Sequence, residues 1–166
     1  MSEVFISIGS NIEPEKNIKE AKKELVKLFK CTFSKNYSYP AQGFKGNDFT
    51  NLVGFFSTNI EAIKLKKILK DIEAKIGRDT SQAGFSDRTI DIDIILYGDL
   101  ILELKEITLP SPEIEAYLHV LEPLVEIAGN RKHPLTGETY SDIFCLLYTS
   151  PSPRDATLSR MPSSAC

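Results

Sequence analysis

The chain has 166 residues, of which 42% are hydrophobic and 26% are charged, a balance typical of one soluble globular domain. Its formal net charge of −3 gives no reason to expect nucleic acid or an anionic membrane as a partner. No apolar run approaches the length of a membrane span, and no secretory signal is visible. Cys31, Cys145 and Cys166 show no CxxC spacing, so we expect free thiols and a cytoplasmic location.

The start of the chain predicts a strand followed by a helix. Residues 4–8 alternate in polarity and end at Gly9, Ser10 and Asn11, which we interpret as a tight turn. The alternative is a turn that holds phosphate on backbone N–H groups, although the GxxxxGK[ST] motif of a P-loop is absent. From Pro14 onward, apolar residues at helical spacing predict a helix with one buried face, formed by Ile18, Ala21, Leu25, Leu28 and Phe29.

A loop rich in glycine and other breakers covers residues 39–48 and leads to a second predicted strand at residues 49–58. The loop is either a moving segment that contacts substrate or a passive connection. Asn51 stands out because it places an amide within an apolar run. A buried amide must be paired, either by backbone or by a ligand such as a heteroaromatic ring.

A second amphipathic helix is predicted to follow and to end at Gly77, which takes the C′ position. Its apolar positions are Ile60, Ile63, Ile68, Leu69, Ile72 and Ile76. A polar stretch over residues 77–86 then leads to a strand in which isoleucines alternate with Asp91 and Asp93. Side chains two apart on a strand share a face, so these carboxylates lie roughly 6.5 to 7 Å apart.

The acidic pair of this strand predicts a metal site. Two like charges at that separation repel each other unless a cation lies close to both. Mg²⁺ takes one or two carboxylates together with water and phosphate oxygens, and Arg88 could supply a planar fork for phosphate. The alternative is an ordinary solvent-facing strand. The continuous apolar run at residues 94–96 favours the metal site, since it is typical of a strand buried on both faces.

Toward the C-terminus, residues 100–102 predict a returning strand and residues 120–128 predict a short helix ended by Gly129. From residue 148 the chain is rich in serine and proline, and disorder is the physical expectation. This stretch also resembles translated sequencing-adapter read-through. We therefore expect one domain over residues 1–147, a non-native tail over residues 148–166, and a missing natural C-terminus.

Three segments carry a resemblance to a known family. They are ISIGSN at residues 6–11, DFTN at residues 48–51 and DRTIDIDII at residues 87–95. The third closely resembles the signature of the 6-hydroxymethyl-7,8-dihydropterin pyrophosphokinase family, and the other two support it. Residues 121–128 are similar to a late helix of that family, and the resemblance covers roughly residues 3–146.

The resemblance implies a ferredoxin-like α/β (α+β) sandwich, with a mainly antiparallel central sheet and helices on both faces. It implies a transferase of folate biosynthesis that moves the terminal pyrophosphoryl group of ATP to a pterin hydroxymethyl oxygen and releases AMP. The implied cofactor is Mg²⁺, as two ions with ATP as co-substrate. The expected partners are ATP and a hydroxymethyl-dihydropterin, and we expect a monomer.

The resemblance also assigns roles to individual residues. The implied catalytic residues are Arg78, Arg88, Asp91 and Asp93, of which Asp91 and Asp93 are the metal ligands. The implied nucleotide-binding residues are Glu73, Arg78, Arg88 and Ile94. The implied substrate-binding residues are Pro40, Gln42, Phe49, Asn51, Phe85 and His119. The loops at residues 42–47 and 78–86 correspond to mobile segments that close over both substrates.

Four positions depart from the family pattern. Thr80 and Tyr117 stand where arginines are common, and Ser111 stands where the family has a histidine. His119 replaces an aromatic residue that stacks on the pterin, and its ring can still stack. Because each charged hydrogen bond is worth roughly 1.5 to 3 kcal/mol, we expect a working enzyme with a weakened nucleotide site.

Two other functions remain compatible with the residues. A non-catalytic module on the same scaffold would bind pterin or nucleotide without needing magnesium and would form no AMP. A magnesium-dependent phosphohydrolase would release phosphate or pyrophosphate without a pterin acceptor. A fold alone does not separate these functions.

Overall fold

The structure is a computed structural model that describes residues 1–39, 49–78 and 90–148. Its larger strands are β1 (Ser2–Ser10), β4 (Phe49–Thr58) and β5 (Asp91–Tyr97), and its short strands are β2 (Thr32–Phe33), β3 (Tyr37–Tyr39), β6 (Leu102–Glu103) and β7 (Thr108–Leu109). Its helices are α1 (Pro14–Leu28), α2 (Ala62–Arg78), α3 (Glu113–Ala116), α4 (Leu118–Ala128) and α5 (Tyr140–Tyr148).

The main sheet is antiparallel and has the strand order β2-β4-β1-β5, with β3 also paired to β4. Strand β1 is central, and its residues from Val4 to Ser10 are all buried. Strand β5 pairs only with β1 among the described strands and so forms one edge. This arrangement confirms the predicted antiparallel α/β sandwich.

Alternate residues of the central strands feed two separate cores, because successive side chains of a strand point to opposite faces. Ile6, Ile8 and Ile92 belong to the core under α1 and α2. Phe5 and Ile95 belong to the core on the other face, under α3, α4 and α5. The predicted placement of helices on both faces is therefore confirmed.

Several local expectations need correction. Gly9 and Ser10 lie inside β1, so the chain turns only after them. Helix α2 continues through Gly77 to Arg78, since one glycine costs a helix only about 1 kcal/mol and does not end it. Leu28 is exposed in the last turn of α1. Of the predicted returning strand, Leu102 alone is in a strand, and it pairs with β7 outside the main sheet.

The structure gives different states for the two cysteines that it describes. Cys31 is a free thiol, and burial raises its pKa to about 11, which keeps the thiol protonated at neutral pH. Cys145 is disulfide-bonded, which contradicts the expectation for that residue. Missing CxxC spacing speaks against a metal motif, but it does not exclude a single bonded pair. Within the described ranges, no helix combines the length and apolarity needed to cross a bilayer.

Candidate active site

Two of the predicted site residues, Asn51 and Asp91, lie beside the C-terminal end of β1. Gly9 is paired with Asn51 on β4 and with Asp91 on β5. Paired residues of neighbouring strands point to the same face, so the Asn51 and Asp91 side chains share a face on either side of Gly9. Their Cα atoms are two strand steps apart, or about 10 Å.

The acidic pair projects from the face opposite to α2. Ile92 and Ile94 belong to the core under α1 and α2, so the alternating Asp91 and Asp93 point the other way. Their side chains are 34% and 37% exposed, because β5 is the edge strand and its face is only partly covered. The pair is thus half-buried at a sheet edge, whereas the sequence predicted a metal site at the end of a central strand; β5 pairs only with β1 among the described strands.

Glu73 of α2 joins the pair and completes a carboxylate trio, which is Glu73, Asp91 and Asp93. One oxygen from each member lies within 4.8 Å of those of the others. Glu73 reaches the sheet edge from α2, where its Oε2 accepts a 2.6 Å hydrogen bond from the backbone N–H of Ile92. The resemblance had assigned Glu73 to the nucleotide, and its place beside the acidic pair had no local sequence signal.

Lys70, one turn earlier on α2, lies among the three carboxylates. Its Nζ is 2.8 Å from Glu73 Oε2, 2.9 Å from Asp93 Oδ1 and 3.6 Å from Asp91 Oδ1. It also donates a 3.2 Å hydrogen bond to the backbone carbonyl of Ile92. Sequence reasoning missed Lys70, since it is one of several lysines on the polar face of α2 and only its i,i+3 spacing from Glu73 marks it.

Burial and neighbouring charges both change the pKa values of Lys70 and Glu73, but in different proportions. Burial disfavours the charged form of Lys70, but the Glu73 and Asp93 carboxylates outweigh it, and the pKa of Lys70 rises above 10.5. Glu73 is more deeply buried, with 19% of its side chain exposed against 37% for Lys70. Burial therefore raises the pKa of Glu73 by more than Lys70 and the Ile92 N–H lower it. Lys70 consequently stays positively charged at the centre of the trio.

On the other side of Gly9, the Asn51 side chain is 6% exposed, and its Oδ1 has no hydrogen-bond partner among the described residues. A Cβ atom built at Gly9 would lie 2.6 Å from Asn51 Nδ2, so only glycine allows this close approach. The sequence predicted that this amide is paired either by backbone or by a ligand. The Asn51 oxygen accepts no hydrogen bond from the described backbone, so it can accept one from a ligand.

An aromatic group borders Asn51. Strand pairing places Phe49 opposite Tyr39, whose hydroxyl donates a 2.7 Å hydrogen bond to Glu122 Oε1 of α4. The His119 ring lies 6.1 Å from the Tyr39 ring and stacks on the Tyr117 ring at 5.0 Å with a 17° interplanar angle. Burial lowers the pKa of His119, which favours its neutral form. Phe49, Asn51 and His119 are thus brought to one region.

Other assigned residues are not placed at the site. The Ile94 side chain is 6% exposed in the core under α2, so its nucleotide contact stays a prediction. Ser111 is buried, and its hydroxyl accepts a hydrogen bond from the Glu113 N–H. Outside the described part of the chain lie Pro40, Gln42, Thr80, Phe85, Arg88, the Arg78 side chain, and the loops at residues 42–47 and 79–86.

A cavity of about 650 Å³ lies at the opposite end of β1 and is not part of this site. It is lined in part by Glu3, Arg131 and Tyr140. The Arg131 guanidinium is paired with Glu3 at 2.5 Å and lies 5.3 Å from the centre of the Phe5 ring. Its charge is thus already satisfied within the protein.

The sequence profile of the family described as 7,8-dihydro-6-hydroxymethylpterin-pyrophosphokinase (HPPK) matches residues 5–129. The chain belongs to the HPPK family. The matched residues include all of the carboxylate trio, Asn51 and His119, so the site described above lies within the HPPK region of the chain.

Two curated relatives illustrate the range of the similarity. The bifunctional protein FolKE of Lactococcus lactis subsp. lactis is 34% identical over 132 residues, which are 76% of this chain and 38% of that protein. The 2-amino-4-hydroxy-6-hydroxymethyldihydropteridine pyrophosphokinase of Aquifex aeolicus is 30% identical over 142 residues, covering 81% of this chain and 86% of that protein. The chain thus spans well under half the length of the FolKE relative.

A solved structure shares the fold. The crystal structure of Plasmodium falciparum HPPK-DHPS superposes on 97% of this chain and 44% of that chain, with a TM-score of 0.62 and 13% sequence identity. At that identity the likeness concerns the fold alone. The ferredoxin-like arrangement expected from the sequence agrees with it.

HPPK enzymes use ATP with Mg²⁺, and the residues present fit that ion. The trio supplies only hard oxygen donors, which Mg²⁺ prefers, and they are close enough to share a cation. That Lys70 is drawn among them shows that the trio attracts positive charge.

Proposed function

We propose that this protein transfers the terminal pyrophosphoryl group of ATP to 6-hydroxymethyl-7,8-dihydropterin, giving the pterin diphosphate and AMP, in folate biosynthesis. The observation that carries the proposal is the shared row of Asn51, Gly9 and Asp91 in a chain of the HPPK family. In this row the Cα atoms of Asn51 and Asp91 are about 10 Å apart. The Asn51 amide is suited to the edge of a pterin ring, and the Asp91 carboxylate is suited to a metal ion that carries phosphate.

The reaction is a single displacement. The hydroxymethyl oxygen forms a bond to the β-phosphorus of ATP, and the bond from that phosphorus to the oxygen bridging the α-phosphorus breaks. The hydroxyl proton is lost and AMP leaves. Such transfers depend on positioning and charge neutralisation more than on covalent chemistry, which agrees with a site built from carboxylates and an amide.

The chain's residues divide the work of binding and orientation. Asp91 and Asp93 hold Mg²⁺, proposed as two ions, which when bound neutralise phosphate charge and lower the hydroxyl pKa. The Asn51 oxygen accepts hydrogen bonds from the pterin edge, while Phe49 and His119 border the ring. Arg78 and Arg88 offset charge on the transferred group. The binding roles of Glu73, Ile94, Pro40, Gln42 and Phe85 also stay part of the proposal.

The proposal also covers domain organisation, location and oligomeric state. We assign the activity to residues 1–147 and treat residues 148–166 as a tail without a role in it. We also propose a cytoplasmic monomer. Light scattering coupled to size exclusion measures the mass directly, and 18.6 kDa is the value for one chain.

The test is AMP formation from ATP, Mg²⁺ and hydroxymethyl-dihydropterin by the purified protein, followed by chromatography. We expect turnover that requires both the pterin and Mg²⁺. Asp91→Asn removes a metal ligand and should lower turnover at least about 100-fold. Asp71→Asn, at an exposed position of α2, makes the same chemical change away from the trio and should leave turnover unchanged.

The same assay separates the two rival functions. Release of phosphate or pyrophosphate without a pterin acceptor would identify a phosphohydrolase. Binding of pterin or nucleotide with no AMP formed at any Mg²⁺ concentration would identify a binding module. Either result would overturn the proposed transfer.

A further inference from the structure

The Lys70 ammonium lies where the carboxylate trio would otherwise need a cation. It is within 2.9 Å of oxygens on Glu73 and Asp93 and 3.6 Å from an oxygen of Asp91. A single lysine therefore touches all three members of the trio. None of the roles proposed above uses it.

Lys70 and Glu73 also cover the exposed edge of β5. The Ile92 N–H donates to Glu73 and the Ile92 carbonyl accepts from Lys70, so two side chains of α2 satisfy backbone groups of Ile92 at the edge of the sheet. This contact gives Lys70 a structural role that any functional test must separate from its charge.

A lysine ammonium and a metal ion compete for the same carboxylate oxygens at this site. Mg²⁺ binds carboxylate oxygens at about 2.0–2.1 Å, which would set it only a few ångströms from an ammonium that contacts the same oxygens. Two cations that close repel strongly in a half-buried site. The Lys70 stem is flexible and 37% of the side chain is exposed, so the ammonium can move away without disturbing α2.

We propose that Lys70 is a built-in counter-ion of the trio, which a metal ion must displace before it binds Asp91 and Asp93. Before the metal arrives, Lys70 neutralises the clustered carboxylates and holds them together. Binding of the metal then includes the cost of removing the ammonium, so the affinity for free metal is low. This inference rests on the proposed function only in placing the metal at Asp91 and Asp93.

The direct test is a titration of the protein with Mn²⁺ and no nucleotide, with bound metal measured by electron paramagnetic resonance. Lys70→Met keeps much of the stem and removes the charge, and we expect about tenfold or more tighter Mn²⁺ binding. Lys75→Met is the matched control, because Lys75 lies on the same helix and pairs with Glu24 away from the trio. It should change Mn²⁺ affinity less than about twofold.

Thermal unfolding separates charge from structure. Without divalent ions, Lys70→Met should melt below the wild type, because it removes a cation that contacts all three carboxylates. Adding Mg²⁺ should raise its melting temperature more than that of the wild type. Equal Mn²⁺ affinities for Lys70→Met and the wild type would overturn the inference.

A second measurement uses the unmodified chain, in case Lys70→Met does not fold. Acetic anhydride labels exposed amines, and mass spectrometry of peptides reports each lysine separately. Adding Mg²⁺ should raise the labelling of Lys70 several-fold and leave Lys75 unchanged. Unchanged labelling of Lys70 at saturating Mg²⁺ would contradict displacement.

Failure of this inference differs from failure of the proposed function. If the wild type binds Mn²⁺ and forms AMP while Lys70→Met binds Mn²⁺ equally, only the counter-ion role is wrong. If neither protein binds Mn²⁺ and no AMP forms, the metal assignment at Asp91 and Asp93 is wrong and both fall.

Discussion

At the residue scale, the proposed pterin side of the site depends on the contact between Gly9 and Asn51. The amide is buried and its nitrogen lies where a side chain at position 9 would be. Glycine at position 9 thus allows the position of the Asn51 amide, which is proposed to bind the pterin. The ISIGSN and DFTN segments of the sequence are thus joined in the structure, because Gly9 of the first is paired with Asn51 of the second.

Replacing Gly9 tests that contact. Gly9→Ala puts a Cβ 2.6 Å from Asn51 Nδ2, so Asn51 must shift. We expect a loss of about 1–3 kcal/mol in the free energy of unfolding and weaker pterin binding. Gly77→Ala is the control, since no atom of the described residues lies within 4 Å of a Cβ built there, and alanine favours a helix by about 0.5–1 kcal/mol. Urea titration measures the free energy of unfolding, and calorimetry measures pterin binding. A Gly9→Ala protein as stable as Gly77→Ala would contradict the contact.

His119 predicts a pH dependence. Its folded pKa lies below the ordinary value of 6.5, so the unfolded chain binds more protons at mildly acidic pH. The stability that the neutral ring supplies is therefore present above 6.5 and is lost as the pH falls through 6.5 toward the folded pKa. Between about pH 7.5 and pH 5.5, the wild type should lose more unfolding free energy than His119→Asn. Equal losses would show that the ring is not buried as a neutral group.

At the element scale, α2 and β5 form the site together because the helix covers the sheet edge. Strand β5 and its two carboxylates were predictable, since a period of two fixes the shared face of Asp91 and Asp93. The strand at residues 49–58 was also predicted with the bounds that it has. These predictions succeeded because each depends on neighbours in sequence.

The contribution of α2 was not predictable in the same way. Lys70 and Asp93 are 23 residues apart in sequence, and nothing in the helical pattern states which polar residues face the edge of β5. Glu73 was placed by family resemblance alone, as a nucleotide ligand. A contact of this kind depends on how the helix packs, which is set by the whole core.

Removing Glu73 tests the helix–edge contact. Glu73→Ala leaves the Ile92 N–H without its carboxylate acceptor, and the expected cost is about 1–3 kcal/mol of unfolding free energy. Glu24→Ala, which removes the partner of Lys75 and Lys27, should cost less because both lysines are exposed. Urea titrations of both variants measure the difference. A Glu24→Ala loss as large as the Glu73→Ala loss would contradict the edge role.

At the scale of the whole molecule, two cores pack on opposite faces of the sheet, and the site lies at one end of its central strand. One side of Gly9 presents an amide and aromatic rings, and the other presents carboxylates. These groups are thus carried on the two strands that flank β1, and both strands are hydrogen-bonded to it. This agrees with the proposed transfer, which depends on positioning and charge neutralisation.

The most direct test of the account is the position of Mn²⁺ in a crystal of the protein with a non-hydrolysable ATP analogue, located by anomalous scattering. The predicted result is a Mn²⁺ signal within about 2.5 Å of carboxylate oxygens on both Asp91 and Asp93. A fully occupied Mn²⁺ bound to the analogue but away from both carboxylates would contradict the metal site and the function built on it.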